Sequence, residues 1–469
     1  MRQQEGRADA TWLFGLFALA FGVSLILHQL WWEGFEVLSV HFLVVLAALW
    51  SILCPTSVAR FLGMLAAKWL SVAIDMPEVG SHTLLVGVSG ACVLAYVAWT
   101  SLPTRRLPAP GALLGRIAPF LRVQLLVVYA AAAVAKMNSG FFDAEVSCAV
   151  SLSARIAWFD PSLLAGSWRV APAMWGTVLV ELALVVLLAI PRTRVLGLAV
   201  GAAFHAVLAL AGNVPFSALA LALYVVFLPV DTAGRVRAVA AVRPALGRWA
   251  GLAQRAAGSR AAFPVAGGCW LVAAVIFSLE PVAGRVVISN GTRILLIALM
   301  LGAAVVLAAG LARGRPWIHP PRSLRLGHAV FAVGIGLLVA NSLSPYLGLK
   351  TESSFTMFSN LHTEAGLWNH AFIPEAVRIF DLQDRLVRVT DSNDPALERR
   401  TRDGARMVRF ELERYVRLHP GTRATYVTTG ATGATTRTTG SDFAVPWAAP
   451  LLDRVAKFRD VRPPQRGWC

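Results

Sequence analysis

Four lysines, Lys68, Lys136, Lys350 and Lys457, stand among the 43 lysine and arginine side chains of this chain. A guanidinium keeps its proton in a protein whereas an amine can release it, so a lysine kept where arginine is the rule is a candidate base. Lys136 closes the apolar run LRVQLLVVYAAAAVAK, and Arg122, Tyr129 and Lys136 follow at steps of seven, which stacks them along one helical stripe. The competing account of Lys136 is an ammonium that snorkels from a helix end to the headgroups. Glu181 and His205 interrupt two further apolar runs and Lys68 a third. An ionisable group at membrane depth is a functional candidate, with a structural pair between Lys68 and Glu181 as the alternative. Gly197, Gly201 and His205 recur at steps of four, so the face that admits a close neighbouring helix also presents the histidine, for chemistry or for a hydrogen bond between helices. His82 opens another run, GSHTLLVG, where taken alone it is an interfacial histidine. General acid–base work is the chemistry these residue types support.

The elements that must position them are membrane helices. The chain has 469 residues, 57% of them hydrophobic and 15% charged, with a mean hydropathy of +0.62, and many apolar runs reach the roughly 20 residues that cross a bilayer. Spans are expected near 11–30, 37–54, 58–75, 82–101, 118–136, 172–190, 195–212, 215–230, 264–280, 292–312 and 326–345. The formal charge of +17 points away from nucleic acid, because the arginines gather in alternate connections, as the positive-inside rule requires. Arg105, Arg106 and Arg116, then Arg192 and Arg194, then the arginines of 231–262 mark cytoplasmic loops. Glu33, Glu36, Asp75, Glu78, Asp143, Glu145 and Asp160 occupy the intervening ones. The expected fold is an all-α polytopic membrane bundle of about eleven transmembrane helices, N-terminus in and C-terminus out, in the plasma membrane, with a small C-terminal α+β extracytoplasmic domain. Residues 1–230 form the main bundle, 231–263 a basic cytoplasmic linker on the anionic inner leaflet, 264–345 additional transmembrane helices and 346–469 the tail. The first apolar run has no small-residue cleavage site and reads as an uncleaved anchor.

The longest outer connection, 137–171, is rich in aromatics and low in charge, which suits an interfacial segment or a lid over the end of the fifth helix. In the tail, 377–390 alternates like strands, 396–418 reads as an arginine-rich helix and 423–439 as a Thr/Gly-rich β stretch. The polar stretch NSLSPYLGLKTESSFTMFSNLHTEAGLWNHAFIP lies before them, beside the outer end of the bundle. Cys148 and Cys469 fall on the expected outer side, where they either pair or stand as separate thiols. No metal-binding spacing and no nucleotide-binding or hydrolase motif is present.

The string YAAAAVAKMNSGFF, followed by an acidic helix, IPRTRVLG and GAAFHAVLALAGNVPFSALALALYVVFLP, resembles the HTTM (horizontally transferred transmembrane) domain shared with vitamin K-dependent gamma-glutamyl carboxylases. In those carboxylases the helix reads as a Tyr, small residues, then Val-Lys-Lys-Leu-Asp. Here Tyr129 matches the tyrosine, Ala135 replaces the first lysine, Lys136 stands at the second, and Met137 and Asn138 stand for Leu-Asp. The resemblance, over roughly 8–230, implies Lys136 as the base that deprotonates a reduced quinone and His82 as a proton relay. It implies Glu181, His205 and Tyr129 as the supporting polar interior, to which Lys68 is added as the candidate partner of Glu181. The expected partners are membrane lipids and a quinone or peptide substrate, with no nucleic acid and no metal. No counterpart of the carboxylases' large lumenal β-rich domain follows, so the resemblance carries the core and its lysine rather than glutamate carboxylation. The expectation is therefore a quinone- and oxygen-dependent, carboxylase- or epoxidase-like membrane enzyme. The alternative is a non-catalytic membrane protein that assists export or maturation of a partner or binds lipid.

Overall fold

The structure, a computed structural model, describes residues 2–33, 39–160, 162, 167–229, 232–234, 263–265, 267–268, 281–312, 324–401, 404–430, 433–438 and 449–462. The chain divides into two compact units, each assembled from separate stretches. One comprises 1–74, 85–129 and 180–338, and the other 75–84, 130–179 and 339–469. Most of the expected ninth span and of the basic linker lies outside the described residues.

The helices are α1 (Arg2–His28), α2 (Val40–Leu53), α3 (Val58–Asp75), α4 (Ser81–Ser101), α5 (Pro110–Ala135), α6 (Cys148–Ala154), α7 (Thr177–Ala189), α8 (Arg194–Leu210), α9 (Val214–Val225), α10 (Pro281–Ala312) and α11 (Ala329–Leu343). Among the described residues, five helical stretches are long and apolar enough to cross a membrane: Gly6–Trp31, Ser81–Ser101, Pro110–Ala135, Pro172–Ala189 and Ser289–Ala309. α2, α8, α9 and α11 are apolar but shorter. α3, expected as the third span, is not among the five; it carries Arg60, Lys68 and Asp75 within 18 residues.

In the first unit α1 lies along α9 and α2, and α8 along α10. Phe14, Phe17 and Phe21 of α1 meet Phe61 of α3 with ring centroids 5.4, 5.7 and 6.2 Å away, a stack at helical spacing that buries large apolar area. Gly197 abuts Leu187 and Leu188 of α7, and Gly201 abuts the Tyr224 ring of α9, so the expected close-approach face is real. The last carbonyls of α7, at Leu188 and Ala189, accept from the Arg194 guanidinium at 2.8 and 3.2 Å. Arg122 Nε reaches Val226 O just past α9 at 2.7 Å. Both arginines also lie near the Phe227 ring, 5.8 and 5.9 Å from its centroid. These cations satisfy carbonyls that a helix end leaves open.

The tail belongs to the second unit. Its antiparallel sheet has the order β2-β1-β3-β4, from β1 (Leu386–Ser392), β2 (Met407–Val408), β3 (Ala424–Gly430) and β4 (Gly433–Thr438). α12 (Pro395–Thr401), α13 (Arg409–Leu418) and α14 (Ala449–Val455) complete it. Val387 and Val389 of β1 alternate inward and pack with Leu397, Met407, Leu412 and Tyr426. Two details differ from expectation. The strand begins at Leu386 rather than near 377, where Glu375–Val377 is a single 3₁₀ turn. The helix expected over 396–418 is divided into α12 and α13, with Gly404 in a left-handed conformation (φ 77°) between them. The arginines of these helices do not make a free basic face. Arg400 grips Asp460 at 2.6 and 3.1 Å and Arg417 grips Asp453 at 2.6 and 3.0 Å, both two-pronged, while Arg414 binds Glu411 at 2.6 Å.

Candidate functional site

Lys136 is the first residue after α5 and is 6% exposed, so it is buried rather than extended into headgroups. Its Nζ donates to Ala132 O one turn back at 3.3 Å. Arg122 and Tyr129 are buried too, which makes the stripe inferred from spacing an inward-facing one. The helix end around Lys136 is closed by groups distant in sequence. Asn138 Nδ2 donates to Ala135 O at 2.7 Å and to Ser359 O at 2.6 Å, and its Oδ1 accepts from Phe141 N at 2.9 Å and Asn369 Nδ2 at 3.3 Å. Val134 O accepts from His370 Nε2 at 3.0 Å. The partners fix that imidazole: Nδ1 accepts from Phe372 N and Ile373 N at 3.3 and 3.0 Å, so the proton sits on Nε2. Burial lowers the His370 pKa, and the Val134 carbonyl only partly opposes this.

The same tail segment holds the turn that carries His82. Ser353 Oγ donates to Val79 O, and Phe355 N donates to Ser81 Oγ at 3.3 Å. His82, 6% exposed, stands in the first turn of α4, and Gly80 leaves room for its ring, because a Cβ there would lie 3.3 Å from His82 Cε1. Asn360 joins a third piece, accepting from Cys148 N at 2.8 Å and donating to Val146 O at 2.9 Å. Four non-glycine residues here, Ser353, Phe355, Phe358 and Asn360, have φ between 55° and 60°. For phenylalanines this is a disfavoured conformation, held only where the surroundings over-determine it. The result is a strap from residue 351 to 373 that fixes the start of α4 and the exit of α5 within one unit.

Other ionisable groups of this unit are not among the six expected site residues. Lys350 is buried, and burial depresses its pKa to about 8, with Glu352 opposing. Glu364 is fully buried; burial alone would raise its carboxyl, but the His362 hydrogen bond and the Arg459 charge hold it below the usual range. Tyr346 is buried against Ala135 and Leu361, and burial pushes its phenol upward. None of these has a periodic sequence signature, since each is buried by a turn rather than by a helix face.

The six expected residues divide between the units: Lys136 and His82 in the second, and Lys68, Tyr129, Glu181 and His205 in the first. In the first unit Tyr129 Oη lies 2.7 Å from His205 Nε2 and 2.6 Å from Tyr224 Oη, and His205 Nδ1 lies 3.4 Å from Ser217 Oγ. All four side chains are buried, and Tyr224 and Ser217 were not anticipated. Glu181 interacts electrostatically with Tyr129. Lys68 is 2% exposed and, like Glu181, is engaged. Cys148 is disulfide-bonded, whereas Cys54 and Cys92 are free. Among the described residues no group of three or more His, Cys, Asp or Glu side chains could hold a metal ion.

An inward Tyr-to-Lys stripe, an acidic helix and the Gly-Gly-His helix packed on Tyr224 now stand in the order seen in one known domain. Residues 115–231 match the HTTM domain. The HTTM domain takes in Tyr129, Lys136, Asn138, Glu181, His205 and Tyr224, while Lys68, His82 and the strap lie outside it. With five helices among the described residues able to cross a bilayer, a chain that carries this domain is a membrane protein. No curated protein and no solved structure matches the chain.

Proposed function

We propose that the chain is a multi-pass plasma-membrane enzyme of about eleven spans, N-terminus inside and tail outside, in which Lys136 acts as general base on a reduced quinone. The observation that carries this is the buried Lys136 at a helix exit where Asn138 closes Ala135 O and His370 of the strap closes Val134 O, the same strap that secures the His82 turn. A snorkelling lysine would need none of that enclosure. The alternation of basic and acidic loops supports the orientation, and so does a disulfide-bonded Cys148 in the 137–171 connection, since disulfides persist in oxidising compartments.

The side chains near the exit of α5 fit an apolar ring: Leu361, Trp368 and Ile373 flank Ala135 and Tyr346. A reduced quinone, when bound, would supply an acidic phenol and two electrons for oxygen. This chain's part is to receive a proton at Lys136 Nζ, with His82 as relay and the Tyr129–His205–Tyr224 cluster holding the HTTM domain in register. Lys136→Ala is expected to abolish quinol-dependent oxygen uptake by the purified protein in nanodiscs, a loss of at least about 100-fold for a general base. Lys136→Arg should fail as badly, because a guanidinium cannot accept the proton. Retained uptake in either variant sinks the enzyme reading and leaves a non-catalytic role in export, maturation or lipid binding. Deleting 346–469 cannot separate these readings, because it removes the strap that closes α5.

A further inference from the structure

We infer that the Tyr346 hydroxyl donates a hydrogen bond to a carbonyl or phenol oxygen of an uncharged, ring-bearing ligand held at the exit of α5. Tyr346 is 5% exposed, and its hydroxyl oxygen has no hydrogen-bond partner among the described residues. The polar side chains around it are committed elsewhere. His370 uses both ring nitrogens on backbone groups. Trp368 Nε1 donates to Ile373 O at 2.7 Å, and Gln383 Nε2 donates to Pro345 O at 2.9 Å.

What remains beside the phenol is apolar or aromatic: Ala135 and Leu361 in the same buried cluster, the Trp368 ring at 6.4 Å and the His370 ring edge-on at 5.3 Å. A hydroxyl left unpaired in such surroundings is destabilising, and a phenylalanine would fill the same volume without that penalty. Burial also keeps the phenol protonated, hence a donor, at physiological pH. An apolar wall with one fixed donor suits a neutral ring carrying a carbonyl or phenol oxygen better than an anion or a cation. The hydroxyl belongs to a side chain packed on Ala135, the residue before Lys136, so donor and amine flank the same helix end. The identity of the ligand as a quinone rests on the reading proposed above, while the orphan donor does not.

Tyr346→Phe removes the hydroxyl and little else. Menadione and decylubiquinone, both oxidised, are titrated into wild-type and Tyr346→Phe protein in nanodiscs while Trp fluorescence is followed, with Trp368→Phe to assign the signal. The expected result is binding about tenfold weaker in Tyr346→Phe, the effect of one lost hydrogen bond, with a melting temperature that is unchanged or higher. Equal binding by both proteins, no binding by wild type, or a clear fall in melting temperature overturns the inference, the last because it shows a protein partner for the hydroxyl. Binding of the oxidised ring requires no base. A Lys136→Ala protein that still consumes oxygen therefore defeats the catalytic reading and leaves Tyr346 standing, whereas equal binding does the reverse.

Discussion

The Asn138 side chain makes four hydrogen bonds while almost wholly buried, and one of them closes the last turn of α5. Its amide must donate to Ala135 O and Ser359 O at once, which a carboxylate cannot do. Asn138→Ala is expected to destabilise the protein by about 2–4 kcal/mol, because several buried backbone groups lose their partner together. Asn138→Asp should not rescue it, and thermal unfolding in detergent measures both. A melting temperature unchanged in Asn138→Ala would remove the residue from its place as the hub of the site. Lys136 was legible because lysine is scarce here and ends an apolar run, and His205 because two glycines precede it at steps of four. The bonds that Asn138 and His370 make were not, since their partners lie far along the chain and hydrogen bonds between distant turns leave no periodic trace.

At the level of elements, apolar runs placed α4 and α5 well, because a continuous hydrophobic stretch can bury its backbone only as a helix. The tail was harder. An arginine-rich stretch over 396–418 reads as one helix, yet it is divided around Gly404, and Arg400 on one side meets Asp460 while Arg417 on the other meets Asp453. In the HTTM domain the decisive element pair is α8 against α9. A Cβ at Gly201 would lie 2.6 Å from Tyr224 Cζ, which forces the ring off the Tyr129 hydroxyl. Gly201→Ala is expected to lower stability by about 1–3 kcal/mol, as overpacking does. In a Tyr224→Phe background the loss should shrink, and a double-mutant cycle on melting temperatures reads that coupling. Simple additivity would contradict the proposed contact.

Over the molecule, the second unit is gathered from three stretches of chain, and Glu78 is where two of them are joined by charge. The carboxylate of Glu78, on the turn before α4, accepts from Arg414 at 2.9 Å and from Lys457. Burial would raise its pKa, but the Lys457 and Arg414 hydrogen bonds outweigh that and hold it below its ordinary value of 4.5. A carboxyl whose folded pKa is depressed adds stability above the unfolded pKa and loses it as pH falls through the folded one. The tail is therefore expected to loosen in acid, below about pH 4.5, as seen by proteolysis between Leu386 and Val455. Glu78→Gln should loosen it at neutral pH as well and flatten this part of the acid response. An unaltered acid profile in that variant would show that other carboxylates govern the tail.

The strap has a bearing on how the protein is made. At the exit of α5 the Val134 carbonyl accepts from His370, 236 residues further along, and the Asn138 amide donates to Ser359 O, 221 residues further along. A ribosome that has finished this helix must lay down the rest of the HTTM domain and the described helices as far as α11 before the closing groups exist. Until then Val134 O waits without its partner, and a chain stopped before the strap never gains it. Quality control that recognises an unfinished helix end would thus sense synthesis through the strap at the very lysine on which activity is proposed to depend.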